Sequence, residues 1–203
     1  MGQRHSIYPL FLPVFKYDST QMHPSEEGIV LKDFNILATT SRGNERDACS
    51  ELQFLLEIIG DSSPTIKKTG ISGLIVAKTA LNPFEAIAKF RKILHERPYE
   101  FRYMLRILPI EKIAPTKLEE IQNAVIELSS KIGKEETFRV TVEKRFTAVT
   151  THDLIEAAAT NIHRKVNLEK PDKILLVEVV GALTGVSLVR PEDVLSVLKE
   201  KLL

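Results

Sequence analysis

The stretch TFRVTVEKRFT, residues 137–147, carries the side chains best suited to binding an anion. Its apolar and polar residues alternate, which predicts a β-strand with one buried face, formed by Phe138, Val140 and Val142. Arg139 and Arg145 fall on the other face, and Lys144 borders them. Guanidinium and ammonium groups bind carboxylate or phosphate oxygens. The alternative is a polar strand face that only contacts water.

A predicted helix follows this strand in the stretch THDLIEAAATNIHRKV, residues 151–166. Thr150 and Asp153 suit its N-terminal cap. Arg164 and Lys165 come near its predicted C-terminus, where positive charge complements the helix dipole. The pair therefore has a structural explanation as well as a binding one.

Three further basic residues stand out earlier in the chain. Arg42 and Gly43 precede a predicted helix with Asn44 as its cap, and a helix N-terminus favours an anion such as phosphate. Lys68 lies in a short β-like run, TIKKTG. Arg106 lies on the mostly apolar face of a predicted strand, where an ion pair with a helix carboxylate is the alternative to a binding role.

Composition limits the kinds of site that these residues can form. The 203 residues carry a net charge of +1, so a nucleic-acid site has to be a local patch. Cys49 is the sole cysteine, which excludes disulfides within the chain and clusters of several cysteines around a metal. No apolar run approaches the roughly 20 residues that span a bilayer. We therefore expect an intracellular, cytoplasmic protein.

The elements that must position the basic residues fall into two α+β units. Residues 1–33 predict an N-terminal arm without an assigned role. Residues 34–110 follow the order β-α-β-β-α-β, which predicts a ferredoxin-like domain with two helices on a four-stranded antiparallel sheet. Residues 111–203 predict a second α/β unit of order α-β-α-β-β-α. Within it, Glu178 interrupts the apolar strand ILLVEVV, and we expect it to pair with a basic neighbour.

The sequence contains none of the common catalytic patterns. The glycine spacings of a nucleophile elbow, a P-loop and a dinucleotide-binding loop are missing, and the five histidines form no metal-ligand spacing. Cys49 borders the apolar side of its helix and suits packing. We therefore expect a binding protein without cofactor or metal, and not an enzyme.

Six motifs together resemble one known family. They are RGNERDA (42–48), KTGISGLIVAKT (68–79), LNPFEAI (81–87), RILPIEKI (106–113), TFRVTVEKR (137–145) and KVNLEKPDKILLVEVVG (165–181). Their order and spacing are similar to the THUMP-domain RNA-binding proteins, and specifically to stand-alone members related to the eukaryotic adaptor for tRNA cytidine acetylation. The similarity covers about residues 34–190.

The resemblance implies a ferredoxin-like domain followed by a THUMP domain, which together bind tRNA. It also implies an adaptor that presents a D-arm cytidine of tRNA to an acetyltransferase forming 4-acetylcytidine. Two alternatives stay open, namely an RNA-binding module of another tRNA modification system and a protein-interaction scaffold that binds no RNA. The residues expected to contact phosphate are Arg42, Lys68, Arg106, Arg139, Lys144, Arg145, Arg164 and Lys165.

Overall fold

The computed structural model describes residues 32–201. Residues 1–31 of the predicted N-terminal arm lie outside this range, so the prediction of an arm over residues 1–33 stays untested. The described chain is of mixed α+β type and forms two five-stranded sheets. None of its helices is long and apolar enough to cross a membrane.

The first sheet is built almost entirely from the N-terminal part of the described chain. The elements in chain order are β1 (Ile36–Thr40), α1 (Glu45–Ile58), β2 (Thr65–Lys68), β3 (Leu74–Lys78), α2 (Pro83–Glu96) and β4 (Met104–Pro109). The strands are antiparallel, and β4, β1, β3 and β2 lie side by side in that order. A 3₁₀ turn, Pro98–Glu100, connects α2 to β4.

The second sheet and its helices follow in the chain. The elements are β5 (Lys112–Pro115), α3 (Leu118–Ser129), β6 (Thr137–Arg145), α4 (Thr151–Ala159), β7 (Lys165–Val166), β8 (Lys173–Val180) and β9 (Leu183–Val189). The strand order in the sheet is β5-β9-β8-β6-β7. Strand β6 runs parallel to both of its neighbours, whereas β9 is antiparallel to β8 and β5.

The C-terminal elements return to the first sheet. After a 3₁₀ turn at Pro191–Asp193, β10 (Leu195–Ser196) pairs with β4 and α5 (Val197–Glu200) follows. Leu195 and Val197 are buried in the core beneath α1 and α2. The sequence grouped these residues with the second unit, and their apolar side chains are buried in the first.

Three apolar cores hold the layers together. One lies between α1, α2 and the first sheet, and a second lies between α3, α4 and the second sheet. The third joins the two sheets directly, with Leu37 and Leu108 from one and Leu176 and Val189 from the other. The sheets therefore pack face to face, and each carries its helices on its outer side.

Strand β6 shows the alternation that its sequence predicts. Phe138, Val140 and Val142 pack into the core beneath α3 and α4. The opposite face of β6 points towards the first sheet. Arg145 pairs in register with Val180, residues paired in this way share a face of the sheet, and Val180 lies in the core between the two sheets. This face extends the surface on which the first sheet packs.

The predicted cap of α4 is confirmed, because Thr150 Oγ1 accepts a hydrogen bond from Asp153 N at 3.1 Å. Asn82 caps α2 in the same way and accepts hydrogen bonds from Phe84 N and Glu85 N. Thr116, whose spacing to Glu119 is typical of a capping box, does not cap α3. Its hydroxyl instead lies 2.9 Å from that of Thr184 on β9, because β5 holds this residue against the sheet.

Helix α4 ends seven residues earlier than the sequence predicts. It stops at Ala159, so Arg164 and Lys165 do not form a basic C-terminal turn. Lys165 and Val166 instead form β7 and pair with Thr137 and Phe138 of β6. Pairing with the exposed edge of β6 satisfies backbone groups that a longer helix would have used internally.

Candidate functional site

The eight predicted phosphate-binding residues lie in two groups at opposite ends of β6. Arg139 and Arg145 are six residues apart on this strand, which separates them by roughly 20 Å. We name the groups the Arg145 end (Arg42, Lys68, Arg106, Lys144 and Arg145) and the Lys165 end (Arg139, Arg164 and Lys165). The predicted residues therefore do not form one compact site.

The first sheet contributes three residues to the Arg145 end. Strand β1 ends at Thr40, two residues before Arg42. Antiparallel pairing aligns its last residues with Arg106 of β4 and with Leu74 of β3. Lys68 in turn pairs with Ile75. Arg42, Lys68 and Arg106 thus lie towards the same end of the strands in this sheet. Arg42 and Lys68 are exposed.

The loop that carries Arg42 is fixed by a carboxylate. Glu45 Oε1 accepts hydrogen bonds from Gly43 N at 3.1 Å and Gly73 N at 2.6 Å. Partial burial alone raises the pKa of Glu45, but these bonds and the charge of Lys68 outweigh burial and leave the pKa below its ordinary value. The predicted cap residue, Asn44, makes no capping hydrogen bond with its side chain.

Gly73 offers a test of how this loop is held. Its φ is +73°, and an added Cβ would lie 2.7 Å from the backbone oxygen of Thr40. We expect Gly73→Ala to lower the free energy of unfolding by about 1 kcal/mol for the left-handed backbone and by at least about 1 kcal/mol more for the clash. Urea unfolding measures the loss.

Gly70→Ala is the matched control for this change. Gly70 has a φ of +77°, and no atom of residues 32–201 lies within 4 Å of its added Cβ. The free energy of unfolding of Gly70→Ala should therefore fall only by the cost of the left-handed backbone, about 1 kcal/mol. Equal losses in the two variants would contradict the close approach of Gly73 to Thr40.

A buried carboxylate joins the two sheets at the Arg145 end. Glu178 on β8 is 1% exposed, and its Oε2 accepts a hydrogen bond from Arg145 Nη1 at 3.0 Å. Its Oε1 lies 3.9 Å from Arg106 Nη1. The expected basic partner of Glu178 is confirmed. The expectation that Arg106 pairs with a helix carboxylate is wrong, because the packing of the two sheets places the strand carboxylate of Glu178 beside it.

Burial and the two arginines act on Glu178 in opposite directions. Burial raises the pKa of this carboxyl, while Arg145 and Arg106 lower it. Burial prevails, and the pKa of Glu178 stays above its ordinary value. Both arginines thus stabilise a charge that the apolar surroundings disfavour.

Lys144 completes the Arg145 end. Its side chain is exposed on the opposite face of β6, and Nζ donates to the backbone oxygen of Val149 at 3.0 Å. This contact leaves two of its three N–H donors for other partners. The lysine belongs to the loop side of this end and does not face the first sheet.

At the Lys165 end, two arginines bind backbone oxygens. Arg164 Nε donates to the carbonyls of Ile132 and Gly133 just after α3, at 3.2 and 3.1 Å. Arg139 Nη1 donates to Leu168 O at 3.0 Å, and its Nε is buried without a hydrogen-bond partner among the described residues. Lys165 is exposed on the edge strand β7.

The sequence reasoning missed a turn beside Lys165. Asn167 Oδ1 accepts hydrogen bonds from Glu169 N and Lys170 N, which leaves the Leu168 side chain outside, where that residue is 70% exposed. An asparagine followed by polar residues after a strand is the signal for such a turn. The turn adds the exposed Lys170 to the Lys165 end.

Neither end has the donor set of a metal site. Within residues 32–201, no group of three or more histidine, cysteine, aspartate or glutamate side chains is placed to hold a metal ion. Cys49 packs partly buried against the first core, and burial raises the pKa of its thiol. What both ends offer is positive charge on exposed or half-buried side chains, which is the chemistry of binding anions.

Comparison with known proteins identifies the second unit. Residues 115–189 match the model of the THUMP domain. No curated protein matches the chain.

Solved structures share the fold at low identity. The crystal structure of PH1313 from Pyrococcus horikoshii Ot3 has a TM-score of 0.57 at 16% identity, covering 78% of this chain and 55% of that chain. TrmN from Thermus thermophilus has a TM-score of 0.52 at 16% identity, covering 79% and 47%. A possible methylase from Clostridium difficile 630 has 0.50 at 15%, covering 76% and 40%. The chain spans about half the length of these proteins.

The matched range contains α3, α4 and the strands β6 to β9, and so includes the strand that carries Arg139 and Arg145. Residues 115–189 of this chain are a THUMP domain.

Proposed function

We propose that this chain is a non-catalytic adaptor that binds tRNA and positions a D-arm cytidine for an acetyltransferase forming 4-acetylcytidine. The observation that carries the RNA-binding part is the THUMP domain at residues 115–189, which indicates RNA binding in tRNA modification. The acetyltransferase partner and the lack of catalytic activity rest on the resemblance of the six motifs. We also propose a cytoplasmic location, for which the sequence composition is the argument.

The distribution of charge supports binding through the RNA backbone. The chain has a net charge of only +1, yet Arg42, Lys68, Lys144 and Lys165 are all exposed. Contacts to phosphates position a protein on RNA without reading its bases, and structured RNA is recognised largely by shape. Local basic groups on two sheets therefore suit the recognition of a folded tRNA.

We further infer that residues 34–110 are a ferredoxin-like domain. The element order β1-α1-β2-β3-α2-β4, the strand order β4-β1-β3-β2 and the placement of both helices on one face support this assignment. Strand β10 extends that sheet by one strand beside β4. The proposed domain boundary near residue 110 accordingly leaves Leu195–Ser196 with the first domain.

A second candidate is an RNA-binding module of another tRNA modification system. The similar solved structures continue well beyond the shared region, since this chain covers 55% and 47% of PH1313 and TrmN. In this alternative, a catalytic unit of different chemistry would act on the RNA that this chain holds. The identity of the modified nucleotide separates the two candidates.

The first experiment measures tRNA binding against salt. We expect the purified chain to bind tRNA, with the logarithm of the affinity falling linearly with the logarithm of salt concentration and a slope of roughly −0.7 to −0.9 per phosphate contact. Filter-binding titrations at several salt concentrations, from about 50 to about 200 mM, give the affinity and the slope. No binding at the lowest salt would contradict the proposal and favour a scaffold without RNA.

Sequencing of modified tRNA tests the partner. Cells lacking this chain should lose 4-acetylcytidine, and the purified chain with tRNA and acetyl donor should produce none unless the acetyltransferase is added. Loss of a different modification would support the second candidate. Acetylation by the chain alone would contradict the adaptor role.

A further inference from the structure

The buried carboxylate at the sheet-to-sheet interface holds two arginines that come from different sheets. Arg106 lies on β4 and Arg145 ends β6, and both face Glu178 on β8. The two guanidinium groups approach different oxygens of the same carboxylate. Without a shared anion, two like charges this close together would repel each other.

Both arginines keep donors that reach solvent. Their side chains are 32% and 23% exposed, respectively. Arg145 uses one N–H on Glu178, and Arg106, at 3.9 Å, is too far to form a hydrogen bond. In residues 32–201, Arg139 Nε is the one buried side-chain nitrogen or oxygen without a hydrogen-bond partner. The unused nitrogens of Arg106 and Arg145 are therefore accessible to water.

We propose that Glu178 is a positioning residue that holds Arg106 and Arg145 side by side as a binding pair for an RNA phosphate, formed only when the two sheets are packed together. This inference rests on the tRNA binding proposed above. The two arginines and Glu178 carry a net charge of +1, which favours an anion. The ligand chemistry is a phosphate oxygen pair, which matches the fork of guanidinium donors.

The energetic benefit of Glu178 is preorganisation. A free arginine on a surface loses rotamer freedom when it binds, and a side chain already held in place loses less. Glu178 is itself fixed by burial in a central strand. Arg145, which donates a hydrogen bond to it, and Arg106, which is attracted to its other oxygen, therefore present their remaining donors with less further ordering.

Glu143 is the one charge on β6 that opposes the pair. It aligns with Glu178 in the strand register, and its charge contributes to raising the pKa of Glu178. Glu143 is exposed, so water and salt screen it more than they screen the half-buried arginines. Its effect on a bound phosphate is accordingly smaller than that of Arg106 and Arg145.

Replacement of Glu178 by methionine tests the positioning role through the sign of its effect. The substitution raises the net charge by one, which by electrostatics alone strengthens RNA binding. If Glu178 orders the arginines, Glu178→Met should instead weaken tRNA binding about tenfold and reduce the salt slope by about one. Glu178→Gln keeps an oxygen that accepts from Arg145 and should recover part of the affinity.

Glu200→Met is the matched control. Glu200 is a partly buried glutamate, 16% exposed, that is likewise paired with an arginine, Arg91 at 2.7 Å, and its loss adds the same charge. Its tRNA affinity should equal or exceed that of the unchanged protein. Urea unfolding establishes that each variant is folded at the binding temperature.

The outcomes separate this inference from the proposed function. If the unchanged protein binds no tRNA, the proposed function fails and the inference fails with it. If it binds tRNA and folded Glu178→Met binds equally well or more tightly, only the positioning role is overturned. Should Glu178→Met not fold, Glu178→Gln decides, because undiminished affinity and salt slope in that variant would also overturn it.

Discussion

Replacing Arg145 with alanine is expected to lower the free energy of unfolding by about 3 kcal/mol at neutral pH, the lower end of the range for removing one partner of a buried ion pair. Glu178 would lose its 3.0 Å hydrogen bond and keep only Arg106 at 3.9 Å. Its charge would then lie in an apolar strand without a hydrogen-bond donor from either arginine. Urea unfolding at neutral pH measures the loss.

The loss of stability in Arg145→Ala should be smaller at acidic pH than at neutral pH. Burial already raises the pKa of Glu178, and removal of Arg145 takes away an interaction that lowers it. A carboxyl with a raised pKa binds its proton more tightly in the folded state. Its contribution to stability is therefore greatest below the unfolded value of about 4.3 and declines as pH rises through the folded pKa. The loss in Arg145→Ala should shrink towards about pH 4.

Lys144→Ala is the control for this prediction. It removes a basic residue from the same strand, but Lys144 is exposed and contacts only a backbone oxygen. Its stability should change by no more than about 0.5 kcal/mol. A deficit in Arg145→Ala that stays constant from neutral pH to pH 4 would show that Glu178 is not the group involved.

The combined substitution of Arg42 and Lys68 by alanine is expected to weaken tRNA binding by about 30-fold and to reduce the salt slope by about two. Both residues are exposed at the Arg145 end, where the packing of the two sheets also places Arg106 and Arg145 on one carboxylate. Neither contacts Glu178, so the ion pairs at the sheet interface stay intact. The fold should therefore survive, and affinity is measured by filter binding at several salt concentrations.

The double variant Lys165→Ala and Lys170→Ala removes the same charge from the other end. Two arginines there, Arg139 and Arg164, already bind backbone oxygens, which leaves fewer donors for RNA. We expect only a few-fold loss of affinity, as for a general reduction in positive charge. A larger loss from this variant than from the Arg42 and Lys68 pair would place the RNA at the Lys165 end.

Local sequence signals predicted the elements whose stabilising contacts are near in the chain. The alternation in residues 137–145 predicted β6, because period-two spacing reflects burial of one strand face. Thr150 predicted the start of α4, since a cap bonds to an amide only two or three residues away. Glu178 in an apolar strand predicted a basic partner, because a buried charge is rarely left alone.

Tertiary contacts decided what local signals could not. The helical pattern of residues 151–166 continues through Arg164 and Lys165, but α4 ends at Ala159 because β6 offers an unpaired edge to β7. Similarly, Leu195 and Ser196 pair with β4 although nearly 90 residues separate them in the chain. Neither partner is visible in local periodicity.

The arrangement of the basic residues shows the same division. The order of residues along the chain shows which side chains carry charge, and the alternation in β6 places Arg139 and Arg145 on one face, six residues apart. Only the packing of the two sheets shows that Arg145 shares a buried carboxylate with Arg106. The direction of a side chain follows from the local backbone, so the sequence can predict it. The partner of a charge depends on how the two sheets, which come from different parts of the chain, pack together, so the sequence cannot predict it.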